Sequence, residues 1–281
     1  MPDSLRLALG TLTAIRVPAP RSVDRRTAGR AMLLAPFVGT FLGVLAGVVV
    51  AGVRVFTTEH RPTTAVDLLA AALGVVVLVL LTRGLHLDGL ADTFDGFGVK
   101  GDDDEASRRR RLDVMREPGI GAFGTMAMVL TLLVQVAALT ENAVSGYGTI
   151  SLLTATTTGR LAAMWCCTPR IPSARPDGLG ALVSGTVGRG AALAVTVVVL
   201  LGAAVLGQVD DDRALEVSLT LVGAVLVGLL VAAVLRRHAV QRFGGITGDV
   251  LGAVVEITTA TVLVVVALGA GIDVPGLHLP R

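Results

Sequence analysis

The segment His86-Leu87-Asp88-Gly89-Leu90-Ala91-Asp92-Thr93-Phe94-Asp95-Gly96 carries three aspartates at offsets of four and three residues. On a helix those offsets place Asp88, Asp92 and Asp95 along one face. Like charges so arranged repel one another and weaken the helix unless a cation neutralises them. A hard divalent cation such as magnesium, which prefers carboxylate oxygens, is the natural counter-charge. A plain solvated acidic face at a membrane edge is the alternative. The glycines and the apolar Leu87, Leu90 and Phe94 between the acids speak against it.

A second acidic group follows much later, in Gly244-Gly245-Ile246-Thr247-Gly248-Asp249-Val250-Leu251-Gly252-Ala253-Val254-Val255-Glu256. A turn containing Gly245 and Gly248 delivers Asp249 to the start of an apolar helix, as a metal ligand or as a helix cap. Glu256 lies two turns deeper on the same face, about 10 Å further by the helical rise. There it needs a partner or a metal. Arginines lie between the two acidic groups. Arg116 precedes Glu117-Pro118-Gly119-Ile120-Gly121-Ala122-Phe123-Gly124, whose glycine-rich helix start exposes N–H groups that favour an anion. Arg175, with Asp177, Gly178, Leu179 and Gly180, belongs to a phosphate-handling loop or to a simple connector. Arg160 falls inside an apolar run, where an isolated charge costs about 2.5–3.5 kcal/mol. It should face the bundle interior, paired with a carboxylate or bound to an anionic ligand. Carboxylates for metal and guanidinium groups for non-bridging oxygens together suit chemistry on a phosphoanhydride. The chain has no Gly-x-x-x-x-Gly-Lys-[Ser/Thr] loop, which disfavours a P-loop nucleotide hydrolase.

The elements that must position these groups are membrane helices. Hydrophobic residues make up 53% of the chain and charged ones only 16%, so apolar runs recur at the length needed to cross a bilayer. The runs 31–53, 65–82, 122–140, 148–167, 191–207, 216–235 and 250–270 predict seven spans. The fold class is therefore all-α, a polytopic integral membrane helix bundle in one domain covering 1–281. Residues 1–30 read as a cytoplasmic segment whose apolar stretch 5–15 lies at the interface, with Arg16 where a cleavage site would need a small residue. With the N-terminus inside, eighteen of the 24 basic residues fall on the cytoplasmic side, and only Arg61, Arg213 and Arg281 on the other. That is a strong positive-inside bias. Both acidic motifs and the loops with Arg116 and Arg175 fall on this same side, so chemistry is expected at the cytoplasmic surface of the cell membrane. Asp102-Asp103-Asp104-Glu105 reads as a solvated surface run. The adjacent Cys166 and Cys167 read as packing residues, and four scattered histidines give no zinc spacing. Aromatics at 3% exclude stacking platforms for nucleic acid.

At these motifs the chain resembles cobalamin synthase, the adenosylcobinamide-GDP ribazoletransferase family. The likeness rests on His86 to Gly96, on Val114-Met115-Arg116 followed by Ile120 to Gly124, and on Gly244 to Ala253 with Glu256. Weaker echoes run from Leu12-Thr13 through Pro36-Phe37-Val38-Gly39, Arg160 and Arg175. The resemblance implies a reaction in which α-ribazole, or its 5′-phosphate, attacks the phosphorus on the cobinamide side of adenosylcobinamide-GDP. GMP leaves and adenosylcobalamin, or its phosphate, forms with magnesium as cofactor, in the last assembly step of the cobalamin nucleotide loop. Residue by residue, it implies metal binding by Asp88, Asp92, Asp95 and Asp249, with Glu256 beside them. Arg116, Arg160 and Arg175 are the candidates for substrate phosphate, and His86, Gly89, Gly96, Gly121, Gly245 and Gly248 complete the motifs. Asp95 is the first candidate for the base toward the ribazole hydroxyl and Asp249 the second. Implied partners are the two substrates and the lipid bilayer, and no nucleic acid; self-association and contact with other cobalamin-assembly enzymes are left open. Ala14, Arg16, Glu117 and Gly119 depart from the family pattern, which leaves Arg116 to carry the phosphate contact near Pro118.

Two rivals predict different sequences. A CDP-alcohol phosphotransferase requires Ala-Arg and a second aspartate pair after its first motif, where this chain has Phe97-Gly98-Val99-Lys100. A cation transporter predicts ionisable residues at mid-span on several helices and internal repeats. Here the acids gather at one face and no repeat is evident.

Overall fold

Apolar runs broken by glycine, proline and charged clusters fold into eleven α-helices and one short 3-10 turn (Gly207–Val209) among the described residues of the computed structural model, which are 1–58, 64–102, 104–210 and 212–270. Arg61, Asp103 and Arg281 lie outside them. In chain order the helices are α1 (Asp3–Leu12), α2 (Arg25–Thr58), α3 (Thr64–Leu81), α4 (Leu85–Gly98), α5 (Glu105–Val114) and α6 (Ala122–Val144). They continue as α7 (Gly148–Cys166), α8 (Gly178–Val183), α9 (Arg189–Leu206), α10 (Ala214–Phe243) and α11 (Gly248–Ala270). No strand occurs among the described residues.

Six of them, α2, α3, α6, α9, α10 and α11, are long and apolar enough to cross a membrane. Helices form at all seven expected places, but α7, the fourth, does not meet that measure because five threonines and Arg160 dilute its apolar run. The reason is its position. Helix α7 packs against α2, α11, α10, α6 and α9, and nearly all of it is buried. Other helices rather than lipid surround it, so its composition escapes the demand for continuous hydrophobicity. Its hydroxyls are satisfied locally: those of Thr154, Thr157 and Thr158 donate to the carbonyls of Ile150, Leu153 and Thr154 at 2.8, 2.8 and 2.7 Å. Leucines on the outer helices, including Leu133, Leu201 and Leu230, are exposed where lipid would cover them.

The tightest seam joins α2 to α7. Gly39, Gly43 and Gly47 recur every four residues on α2 and meet Thr156, Leu153 and Thr149 of α7, with no room for a Cβ at any of the three. Helix α1 is too short to cross. It lies beside α2, with Ala8 buried against Ala31, Val38 and Leu42, in keeping with an interfacial segment.

At one end of the bundle the chain leaves α3 through Arg83 and Gly84, both left-handed at φ 56° and 67°. This reversal folds α4 back against α11 and α6. Glycine sets the approach: a Cβ on Gly89 would meet the backbone of Asp249, and one on Gly252 the backbone of His86. Helix α5 is capped by Asp104, whose Oδ1 accepts from the Ser107 N–H at 2.7 Å. Fully buried Arg111 ties this corner together, donating to the carbonyls of Gly101 at 2.7 Å and Arg242 at 3.2 Å.

Candidate active site

Asp88, Asp92 and Asp95 all sit on α4, whose seam with α11 brings a fourth carboxylate, Asp249, to the same place. Asp249 is not the cap of α11. Thr247 takes that role, accepting from the Val250 N–H through its hydroxyl at 3.2 Å, the usual geometry of a threonine N-cap. Asp249 is left to face α4, its Oδ2 accepting from the Thr247 hydroxyl at 3.2 Å. Asp88 is exposed, whereas Asp92 and Asp249 are half-buried.

The charges act on one another. Burial, and then the neighbouring Asp249, Asp88 and Asp95, raise Asp92 to a pKa of about 7. Crowded carboxylates with too little positive charge nearby behave in this way. Arg175 is the cation within reach, its Nη1 3.9 Å from Asp249 Oδ2. A small backbone pairing puts it there: Ala174 N–H donates to the Ile246 carbonyl at 3.0 Å and Ile246 N–H to Pro172 at 2.9 Å. Gly245 has no space for a side chain because this strand of loop lies on it. Arg175 is held further by donation to the Leu112 carbonyl at 2.6 Å. Burial and then nearby Arg116 lower its proton affinity. Arg116 itself is exposed and pairs with Asp177 at 2.9 Å.

Asp95 turns away from this group. Its two carboxylate oxygens accept the N–H groups of Gly121 and Gly124 at 2.7 and 2.8 Å, and any Cβ on either glycine would strike it. The anion favoured by the glycine-rich start of α6 is thus supplied by the chain itself. Asp95, the first candidate for the base, is thus engaged at both oxygens with the start of α6. Gly96 packs under Met115 and Phe243, the latter stacked on Phe97.

Glu256 also departs from the expected cluster. Two turns below Asp249, its Oε2 accepts from Gln135 of α6 at 2.7 Å. Arg160, only 3% exposed, lies at this depth. Its Nη2 is 3.4 Å from His86 Nδ1 and its Nη1 3.5 Å from the Thr156 carbonyl, and its Nε is buried without a partner. Burial, and then Arg160, hold His86 well below the usual imidazole range, hence neutral. A cavity of about 180 Å³ runs from Asp88 and Asp249 down to His86 and Arg160, between apolar walls that include Met32 and Leu251.

The structure therefore brings together Asp88, Asp92, Asp249 and Arg175, with Arg116 at the rim. It places Arg160, His86 and Glu256 beneath them, and Asp95 at the joint with α6. A Cβ on Gly248 would meet Leu179 at 3.5 Å, an ordinary contact. Sequence reasoning missed Gln135, although a lone amide inside the apolar α6 is a visible signal. It also missed Thr247, which the capping rule would have chosen over Asp249. Among the described residues no three carboxylate, imidazole or thiol groups form a ready-made metal cage. Magnesium rarely uses one, since it is commonly held by one or two carboxylates together with substrate phosphates and water. Asp88 and Asp92, one turn apart, the first exposed and the second half-buried, fit that donor set.

Residues 4–267 match the family described as cobalamin-5-phosphate synthase. An adenosylcobinamide-GDP ribazoletransferase from Frankia casuarinae is 48% identical over 279 residues, covering 97% of this chain and 96% of the relative. Proteins of the same name from a Nocardioides species and from Stutzerimonas stutzeri are 41% and 35% identical, covering 94% and 95% of this chain and 97% and 98% of theirs. No solved structure matches it.

Proposed function

The chain belongs to the cobalamin-5-phosphate synthase family, and from that premise we propose that it is a membrane-embedded, magnesium-dependent adenosylcobinamide-GDP ribazoletransferase. The observation that carries the reading is the meeting of Asp88 and Asp92 of α4 with Asp249 of α11 and Arg175 at one end of the bundle. A transferase of cobalamin synthesis must hold a pyrophosphate, and this end offers metal-binding oxygens beside guanidinium groups.

Asp88 and Asp92 would hold magnesium. When bound, the ion neutralises the pyrophosphate and polarises the phosphorus under attack. Arg175 and, at the rim, Arg116 bind the non-bridging oxygens. The ribazole hydroxyl attacks the phosphorus on the cobinamide side, the bond from that phosphorus to the GMP oxygen breaks, and GMP departs. Asp249 takes the hydroxyl proton; unlike Asp95, it is not committed to a helix terminus, and it adjoins Arg175. The cavity below, apolar-walled with Arg160 and His86 at its floor, suits the aromatic base of the ribazole. Asp95 and Glu256 position α4 and α11 against α6. The positive-inside bias supports a cytoplasmic site.

The test supplies membranes containing the protein with adenosylcobinamide-GDP, α-ribazole and magnesium, and follows cobalamin and GMP together. Stoichiometric formation of both, abolished by a chelator and restored by magnesium, is the expected result. No product overturns the reaction; product insensitive to chelation overturns the metal.

A further inference from the structure

A second cavity, of about 560 Å³, opens on a different face of α7. Ala162, Trp165 and Cys166 of α7 line it, whereas Arg160 and Ala163 line the cavity under the carboxylates. Three arginines from three separate elements share its lining: Arg170 of the loop after α7, Arg189 at the start of α9, and Arg236 in α10. The lining holds no acidic residue. Among the described residues, none of the three guanidinium groups makes a hydrogen bond or ion pair. Arg170 also holds a left-handed backbone at φ 75°, a conformation that costs a non-glycine residue energy and recurs at ligand clamps.

The walls say which anion. Leu229 lies seven residues before Arg236 on α10, and Thr196 seven after Arg189 on α9, each about 10 Å along its helix. The cavity thus descends from a cationic rim into the apolar layer, past Ala232 and Ala233. Leu193, Leu230 and Val234 alongside it are exposed on the outer, lipid-facing surface. A soluble phosphate would use the rim and leave the apolar wall empty. A diacyl phospholipid fills both, with its anionic headgroup on the arginines and its upper acyl chain against α10. We propose that this groove between α7, α9 and α10 is a binding site for an anionic phospholipid. The proposal is independent of the transferase reading.

The test titrates the purified full chain in detergent with phosphatidylglycerol, phosphatidylcholine and inorganic phosphate, counting bound lipid by native mass spectrometry and following thermal stability. Phosphatidylglycerol should bind at least about tenfold more tightly than phosphatidylcholine, and phosphate should leave stability unchanged. At about 1 kcal/mol per arginine near a membrane surface, each of R170Q, R189Q and R236Q should weaken phosphatidylglycerol about fivefold, and the triple variant on the order of a hundredfold. Should the triple variant fail to fold, R189Q alone, at an exposed helix start, decides. R237Q, an exposed neighbour outside the lining, should change nothing. Equal binding of the two lipids, unaltered binding by R189Q, an R237Q effect as large as R189Q, or stabilisation by phosphate would each overturn the site.

Discussion

The two ends of the bundle treat their carboxylates differently. At the end away from α4, Asp67 pairs with Arg54 Nε at 2.8 Å, Glu216 with Arg213 Nε at 2.8 Å, and Asp210 accepts from the Tyr147 hydroxyl at 2.7 Å. These acids close their contacts inside the protein and hold the ends of α2, α3, α7 and α10. At the other end Asp88, Asp92 and Asp249 face one another, and the nearest cation, Arg175, stands off at 3.9 Å. Carboxylates that face a cation or a hydroxyl donor serve the fold, whereas those left facing like charges lower the stability of the chain and make sense only with a ligand.

The largest test of this contrast is Asp92→Asn. Turnover should fall on the order of a thousandfold, as when a transition state loses a main electrostatic support, while the thermal midpoint stays level or rises. Asp249→Asn should behave alike. Asp67→Asn at the opposite end should do the reverse: turnover within about twofold, but stability reduced by about 1 kcal/mol because the Arg54–Asp67 ion pair is lost. Asp102→Asn, in the exposed acidic run, should change neither. Equal losses at the two ends would erase the distinction.

Next in size is Arg175→Gln. One charge-assisted bond to a phosphate oxygen corresponds to about 1.5–3 kcal/mol, so KM for the pyrophosphate substrate should rise at least about tenfold. Arg116→Gln should have a smaller effect, because that side chain is exposed and already shared with Asp177. An equal or larger effect of Arg116 would move the phosphate site outward to the rim.

The pH dependence of stability sharpens the contrast further. Asp92 has its folded pKa raised to about 7 against an unfolded value near 3.9. Between those values the folded chain binds more protons than the unfolded one, so stability of the metal-free protein should fall as pH rises from about 4 to 7 and then level off. Asp92→Asn should remove that slope, and saturating magnesium should flatten it in the parent chain. A slope that survives Asp92→Asn would place the strained carboxylate elsewhere.

Much of this was legible in the sequence because the groups that matter carry strong local signals. The apolar runs specify the helices, and the alternation of sides gathers Asp88, Asp92, Asp249 and Arg175 at one end. Less legible was anything decided by what surrounds a helix. The threonine-rich run of α7 lies at the centre of the bundle, and hydropathy alone does not reveal that other helices shield it from lipid. The four-residue spacing of Gly39, Gly43 and Gly47 was the available sign of its partner. Helical rise puts Glu256 about 10 Å below Asp249 and in need of a partner or a metal, but does not say which neighbour meets it; at its depth α6 offers Gln135.

Asp95 is the finest test, since it shares the stripe with Asp92 yet resembles the far end in its contacts. Both its oxygens accept N–H groups from the first turn of α6. Asp95→Ala removes both acceptors and should cost about 1 kcal/mol, as the loss of a helix cap does. Asp95→Asn keeps one acceptor but turns an amide toward the other N–H, and should recover only part of that. In both variants activity should decline in step with the thermal midpoint, and the magnesium concentration for half-maximal turnover should not move. If Asp95→Asn instead abolishes turnover with an unchanged midpoint, then all three aspartates of α4 serve the reaction. The start of α6 would then be a part of the site that α4 holds in place, and the line between structural and reactive carboxylates would have to be drawn beyond Asp95.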